Sequence, residues 1–150
     1  MEGIYESGLA WIQDRPDTVI ITCVDGRWFR HFQEFAREHL KAGPLTDFMA
    51  VPGGIEPMAL SDAVPKDFNF FRRRIERLVE SHGTRRIVAI AHQDCAWYRG
   101  RATSDVRERQ IADLRRGASR LREMFDPAVV ETYFARLSGT SPEKVIFETV

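Results

Sequence analysis

Apolar residues along the chain occur in short continuous runs and in longer repeats with helical spacing. The short runs predict four strands: TVIITCV (18–24), TDFMAV (46–51), RRIVAIA (85–91) and EKVIFETV (143–150). The first run is β-branched and uninterrupted, which is typical of a parallel strand that is covered on both faces.

The longer repeats alternate with these strands and predict helices. Their sequences are RHFQEFAREHLKAG (30–43), KDFNFFRRRIERLVESHG (66–83) and SDVRERQIADLRRGASRLREMF (104–125), with Ser104 as the predicted cap of the last. Pro127 is expected to begin a shorter helix, and residues 1–16 approximately are expected to form a short helical arm. Alternating strands and helices predict right-handed crossovers. We therefore expect a single α/β domain, with a mostly parallel central sheet of about four to five strands and helices on both faces.

Length and charge narrow the classes of function. A chain of 150 residues is long enough for one domain with a substantial core. Its 22 basic and 22 acidic residues give a formal net charge of zero, which removes the electrostatic argument for nucleic-acid or membrane partners. The chain start lacks the layout of a signal peptide, and no apolar run is long enough to span a membrane. With only two cysteines, a reduced cytoplasmic setting is expected.

Both cysteines lie where strands are predicted to end. The segment ITCVDGR carries Cys23, Asp25 and Arg27 after the first strand, and IAHQDCAW carries His92 and Cys95 after the third. Ligand sites in open parallel sheets form at the carboxyl ends of strands. If the first and third strands are neighbours, the two cysteines and the histidine converge there.

Two thiolates and one imidazole are a donor set that suits tetrahedral Zn²⁺. Three protein ligands leave the fourth position for water, as in catalytic zinc sites. A cysteine at a strand end can also be ordinary core filling. A phosphatase loop is a further interpretation of a cysteine followed by an arginine, but such loops have more residues between the two and no intervening acid. A redox C-x-x-C motif is absent from the sequence.

The C-x-D-x-R motif at Cys23, Asp25 and Arg27, followed by H-x-x-C at His92 and Cys95, resembles the β-class carbonic anhydrases. The resemblance spans roughly residues 18–98. It implies that Cys23, His92 and Cys95 are zinc ligands and that Asp25 and Arg27 form an acid–arginine pair beside the metal. It also implies that the first and third strands are adjacent, and that the protein forms dimers with the active site near the subunit interface.

The chemistry expected of the acid–arginine pair follows from the charge on the metal. Two thiolates cancel the charge of Zn²⁺, so such a site acidifies water less than one with three histidines. Asp25 is expected to compensate by accepting a hydrogen bond from the hydroxide and orienting it. Arg27 would hold Asp25 through forked hydrogen bonds. Alternatively, Asp25 could turn onto the zinc as a fourth ligand and close the site.

Some positions depart from the family pattern. Ala96 replaces the glycine that usually follows the second cysteine, and Trp97 comes next, which adds bulk near the metal. The segment VPGGIEP follows the second strand, where Gly53 and Gly54 could present backbone amides to the pocket or form a plain turn.

These observations predict a zinc-dependent lyase that interconverts carbon dioxide and bicarbonate. Among enzymes, the alternative is a zinc hydrolase that acts on a related electrophile such as carbon disulfide or carbonyl sulfide. If the protein is not an enzyme, the alternative is a non-catalytic zinc-binding dimer.

Overall fold

A five-stranded β-sheet forms the centre of the computed structural model, which describes residues 4–101 and 105–150. The strands are β1 (Thr18–Thr22), β2 (Asp47–Ala50), β3 (Arg86–His92), β4 (Val129–Leu137) and β5 (Val145–Thr149). Their order in the sheet is β2-β1-β3-β4-β5. The first three pairs are parallel, and only β4 and β5 pair antiparallel. The predicted fold class is confirmed.

Helices cover both faces of the sheet. They are α1 (Gly26–Glu38), α2 (Glu56–Ala59), α3 (Pro65–His82), α4 (Ala96–Arg99) and α5 (Val106–Met124). The apolar side of α1 packs on one face, where it covers Ile20 and Val88. Helices α2, α3 and α5 pack on the other face, where they cover Val19, Ile21 and Ile87. Successive residues of β1 therefore contribute to opposite cores, as strand alternation requires.

Two helices begin at aspartates that accept hydrogen bonds from the first turn. Helix α1 begins four residues before the predicted start, because the Asp25 carboxylate accepts the backbone N–H of Arg27. Asp105 caps α5 in the same way through the backbone N–H of Glu108. The predicted cap of α5, Ser104, lies outside the described residues.

The segment after Pro127 is a strand, and the prediction of a short helix there is wrong. Strand β4 pairs with β3 along its length and separates it from β5. Its residues VVETYFARL are rich in β-branched and aromatic side chains, which favour strands. A proline at a helix start is only a local preference, and pairing with two neighbouring strands outweighs it.

The predicted helical arm is also wrong for the part that the structure describes, because residues 4–16 contain no helix. Ile4, Leu9 and Trp11 on this segment are at least 85% exposed. A short helix is marginal in water unless an apolar face packs on something. No such packing offsets the cost of nucleation here. None of the helices in the described part of the chain is long and apolar enough to cross a bilayer.

Candidate metal centre

The carboxyl ends of β1 and β3 bring the predicted ligands together. Cys23 directly follows β1, His92 is the last residue of β3, and Cys95 precedes α4. The two strands are neighbours in the sheet, with Thr22 paired to Ile90. The predicted adjacency of the first and third strands is therefore confirmed.

The donor atoms of these three residues form a compact group. One ligand atom from each of Cys23, His92 and Cys95 lies within 4.8 Å of the others, and all three residues are buried. Both cysteines are free thiols, with their sulfur atoms 3.8 Å apart. Two zinc–sulfur bonds of about 2.3 Å at a tetrahedral angle separate the sulfurs by roughly 3.8 Å. The thiols are thus spaced as a tetrahedral metal requires.

The imidazole of His92 also fits a metal. Its Nδ1 lies 2.8 Å from the carbonyl oxygen of Gln93. A carbonyl can only accept, so Nδ1 carries the proton, and Nε2 of the neutral ring has the free lone pair. Nε2 is buried and has no hydrogen-bond partner in the described residues. Trp28 packs against the ring at a centroid distance of 4.9 Å and helps to fix its orientation. A metal ion would satisfy this otherwise unpartnered atom.

The pKa values of the two thiols shift in opposite directions. The pKa of Cys23 is lowered chiefly because the Cys95 thiol donates a hydrogen bond to its sulfur. The pKa of Cys95 is raised by the same hydrogen bond, by burial and by the charge on Cys23. Binding of a divalent ion to both sulfurs requires both thiols to be deprotonated.

Asp25 and Arg27 form the forked pair that the sequence predicted as one of two arrangements. The Arg27 Nε donates to Asp25 Oδ1 at 3.0 Å, and Nη2 donates to Oδ2 at 2.6 Å. Since Oδ1 also accepts the backbone N–H of Arg27, the carboxylate orientation is determined at three points. The Asp25 carboxylate is not part of the group of metal-type donors. The structure therefore shows the arrangement in which Asp25 is held by Arg27.

Arg27 lowers the pKa of the Asp25 carboxyl group. Its hydrogen bonds lower the pKa of Asp25 to about 2. Because the folded-state pKa is depressed, the ionised pair contributes stability that is present above the ordinary value near 3.8 and lost as the pH falls through about 2. In Arg27→Gln we expect the pKa of Asp25 to rise towards 3.8, as measured by carbon NMR of the side-chain carboxyls.

A matched control lies on the same helix. Arg37 lowers the pKa of Glu38 in a similar exposed pair. Arg37→Gln should raise the pKa of Glu38 and leave that of Asp25 unchanged. A pKa near 2 for Asp25 in Arg27→Gln would show that Arg27 does not control this carboxylate.

The turn between β2 and α2 lies beside the site and contains Gly53 and Gly54, for which the sequence allowed two interpretations. Gly53 and Gly54 have positive φ values of 79° and 59°. A Cβ at Gly54 would lie 3.2 Å from the backbone carbonyl carbon of Thr22, so the turn packs closely beside the chain that leads to Cys23. Of the two interpretations of these glycines, the structure shows the turn, which packs beside the backbone of Thr22 and Cys23.

The fold and the donor set define the chain as an α/β protein with three converging ligands of the type that binds transition metals. Residues 14–144 match the family described as "putative carbonic anhydrase". This match covers most of the chain, and the protein belongs to that carbonic anhydrase family. The resemblance suggested by the sequence motifs is thereby supported.

Solved structures show where the same fold occurs. The β-carbonic anhydrase isoform I of Trichomonas vaginalis superposes with a TM-score of 0.56 at 14% identity, covering 97% of this chain and 90% of that one. The β-carbonic anhydrase CafA of Aspergillus fumigatus gives a TM-score of 0.50 at 12% identity, covering 91% of this chain and 76% of that one. At these identities the similarity establishes the fold alone. No curated protein sequence matches the chain.

Proposed function

We propose that this protein is a zinc-dependent carbonate dehydratase that catalyses the reversible hydration of carbon dioxide to bicarbonate. The observation that supports this most strongly is the Cys23, His92 and Cys95 donor group, with sulfurs 3.8 Å apart, in a chain of the carbonic anhydrase family. The motif spacing and the β-carbonic-anhydrase fold support the same proposal.

Cys23, His92 and Cys95 would hold the zinc through Sγ, Nε2 and Sγ. Zinc, when bound in a site with an open position, lowers the pKa of a water ligand to about 7 and thus supplies a nucleophile at neutral pH. The Gln93 carbonyl accepts from His92 Nδ1 and keeps Nε2 available. Burial of all three ligands limits competition from solvent at the donor atoms.

Asp25 is proposed to orient the nucleophile. Its pKa of about 2 keeps it ionised throughout the physiological range, so it can only accept a hydrogen bond and cannot donate one. Arg27 restrains the carboxylate by two side-chain hydrogen bonds, and this pairing reduces its freedom to turn towards the ligand group. Asp25 would therefore align the attacking oxygen with the carbon of the substrate.

Stopped-flow hydration of carbon dioxide by protein of known metal content tests the proposal. We expect one zinc per chain and a hydration rate well above background that disappears when a chelator removes the zinc. Stoichiometric zinc without hydration would reject the proposed reaction. Turnover of carbon disulfide or carbonyl sulfide by that protein would then identify the alternative hydrolase, and no turnover would leave the non-catalytic zinc-binding dimer.

We propose that the protein acts as a homodimer in a reducing, cytoplasmic setting. Free thiols at Cys23 and Cys95 support the reducing environment. Exposed apolar side chains of the amino-terminal segment, among them Leu9 and Trp11, support an interface between copies of the chain.

Sedimentation velocity should show a dimer. Trp11→Ser is expected to weaken it by about tenfold or more, as for other large aromatic anchors. Phe70→Ser, which removes an exposed aromatic side chain from α3, is the control and should not change the dimer. A wild-type protein that remains monomeric at all concentrations would contradict this part of the proposal.

A further inference from the structure

The two thiols of the metal centre lie on separate segments, and one side-chain hydrogen bond connects those segments. Trp97 follows Cys95 by two residues, and Glu56 follows Gly53 by three. The indole Nε1 of Trp97 donates to Glu56 Oε2 at 2.8 Å. This bond therefore joins the loop that carries Cys95 to the turn that packs against the backbone of Thr22 and Cys23.

The Trp97 indole lies directly against Gly53. A Cβ added at Gly53 would be 2.4 Å from Cδ1 and 2.7 Å from Nε1 of the indole, distances that no side chain could occupy. Since Gly53 also has a φ of 79°, both space and backbone conformation require glycine here. The indole thus limits the movement of the turn that packs against the Cys23 backbone.

Other contacts hold the indole and its acceptor in place. Glu56 is only 8% exposed, so burial of its carboxylate requires hydrogen-bonding partners. The Arg101 guanidinium lies 3.5 Å from the centre of the Trp97 ring and 3.9 Å from Glu56 Oε2. Such a cation–aromatic contact favours a fixed ring orientation. Trp97 also packs against the cluster that contains Cys23 and Cys95.

We propose that Trp97, held by Glu56, is a positioning residue that keeps the segments of Cys23 and Cys95 in their relative positions and thereby sets the affinity of the site for its metal. The distance between the two sulfur atoms determines how well they fit one tetrahedral ion. Groups that orient metal ligands in this way commonly change metal affinity about 10- to 100-fold when they are replaced. The inference rests on the proposed zinc site but does not depend on the reaction.

Cobalt(II) and zinc binding by the full chain test this role without measuring activity. Zinc affinity is measured by competition with a chromophoric chelator, and the sulfur-to-cobalt charge-transfer band reports on the thiolates. Trp97→Phe retains a ring but loses the indole N–H. We expect its zinc affinity to fall about 10- to 100-fold and its charge-transfer band to shift.

Substitutions of Glu56 separate the effect of its hydrogen bond with Trp97 from the effect of its negative charge. Glu56→Gln keeps an oxygen that can accept the indole N–H and should retain most of the affinity, whereas Glu56→Leu should resemble Trp97→Phe. Phe70→Leu changes an exposed aromatic side chain on α3 and should have no effect. Circular dichroism verifies that each variant is folded, and Glu56→Leu provides the test if Trp97→Phe does not fold.

Wild-type affinity and an unshifted band in folded Trp97→Phe, or in folded Glu56→Leu, would overturn the inference. Equal losses in Glu56→Gln and Glu56→Leu would overturn it too, because the carboxylate charge would then matter and the hydrogen bond would not. Since neither readout involves carbon dioxide, these results are independent of whether the proposed hydration is found.

Discussion

Cys95→Ser is expected to lose the bound zinc and to reduce carbon dioxide hydration to the uncatalysed rate. The serine hydroxyl is not ionised at neutral pH and is a poor replacement for a thiolate ligand. Cys95 is 1% exposed and its sulfur lies 3.8 Å from that of Cys23, so the substitution removes one of the two sulfur donors of the group. Metal analysis after dialysis and stopped-flow hydration measure the two effects.

Thr132→Ser is a suitable control for this loss. It removes a methyl group from a buried residue of β4, while the hydroxyl can keep its hydrogen bond to the Val150 carbonyl. This variant should retain zinc and turnover. Stoichiometric zinc in Cys95→Ser would show that Cys95 is not a ligand.

Asp25→Asn should have the second-largest effect, a loss of turnover with the zinc retained. The asparagine oxygen can still cap α1 by accepting the backbone N–H of Arg27, so the helix start is preserved. The amide is neutral and has only one accepting oxygen, and it therefore no longer orients the nucleophile as the carboxylate does. A loss of about 10²-fold or more in kcat/KM is expected. This is the usual contribution of a positioned acid or base side chain to the rate.

The chain contains a matched control for this substitution. Asp17 pairs with Arg85 at the opposite end of β1 and β3, and Asp17→Asn changes an identical functional group of an acid–arginine pair away from the metal centre. It should leave hydration unchanged. Full zinc content with unchanged turnover in Asp25→Asn would remove Asp25 from the mechanism.

The strands that carry the site were predictable because they are buried on both faces. The residues before Cys23 and those at 86–92 are mostly apolar or β-branched. This pattern is typical of a central parallel strand. Strand β4 was missed although its residues favour a strand, because a preceding proline also suggested a helix start. The start of α1 was missed because Asp25 was considered only for its chemistry, whereas its carboxylate also caps the helix.

The convergence of Cys23, His92 and Cys95 was predictable from topology once the resemblance implied that the first and third strands are neighbours. Parallel strands end at the same edge of a sheet, so residues that immediately follow two neighbouring strands must be close. No such topological rule predicts the hydrogen bond between Trp97 and Glu56. These residues are 41 positions apart and lie on irregular or short segments, where no periodicity indicates which side chains meet. Only the folded chain shows that they connect the surroundings of the two thiols.

X-ray absorption at the zinc edge of the metal-loaded protein tests the central claim most directly. Two sulfur ligands at about 2.3 Å and two lighter ligands at about 2.0–2.2 Å are expected, from Cys23, Cys95, His92 and one further oxygen. A zinc shell without sulfur, or a purified protein that binds no zinc under reducing conditions, would contradict the account.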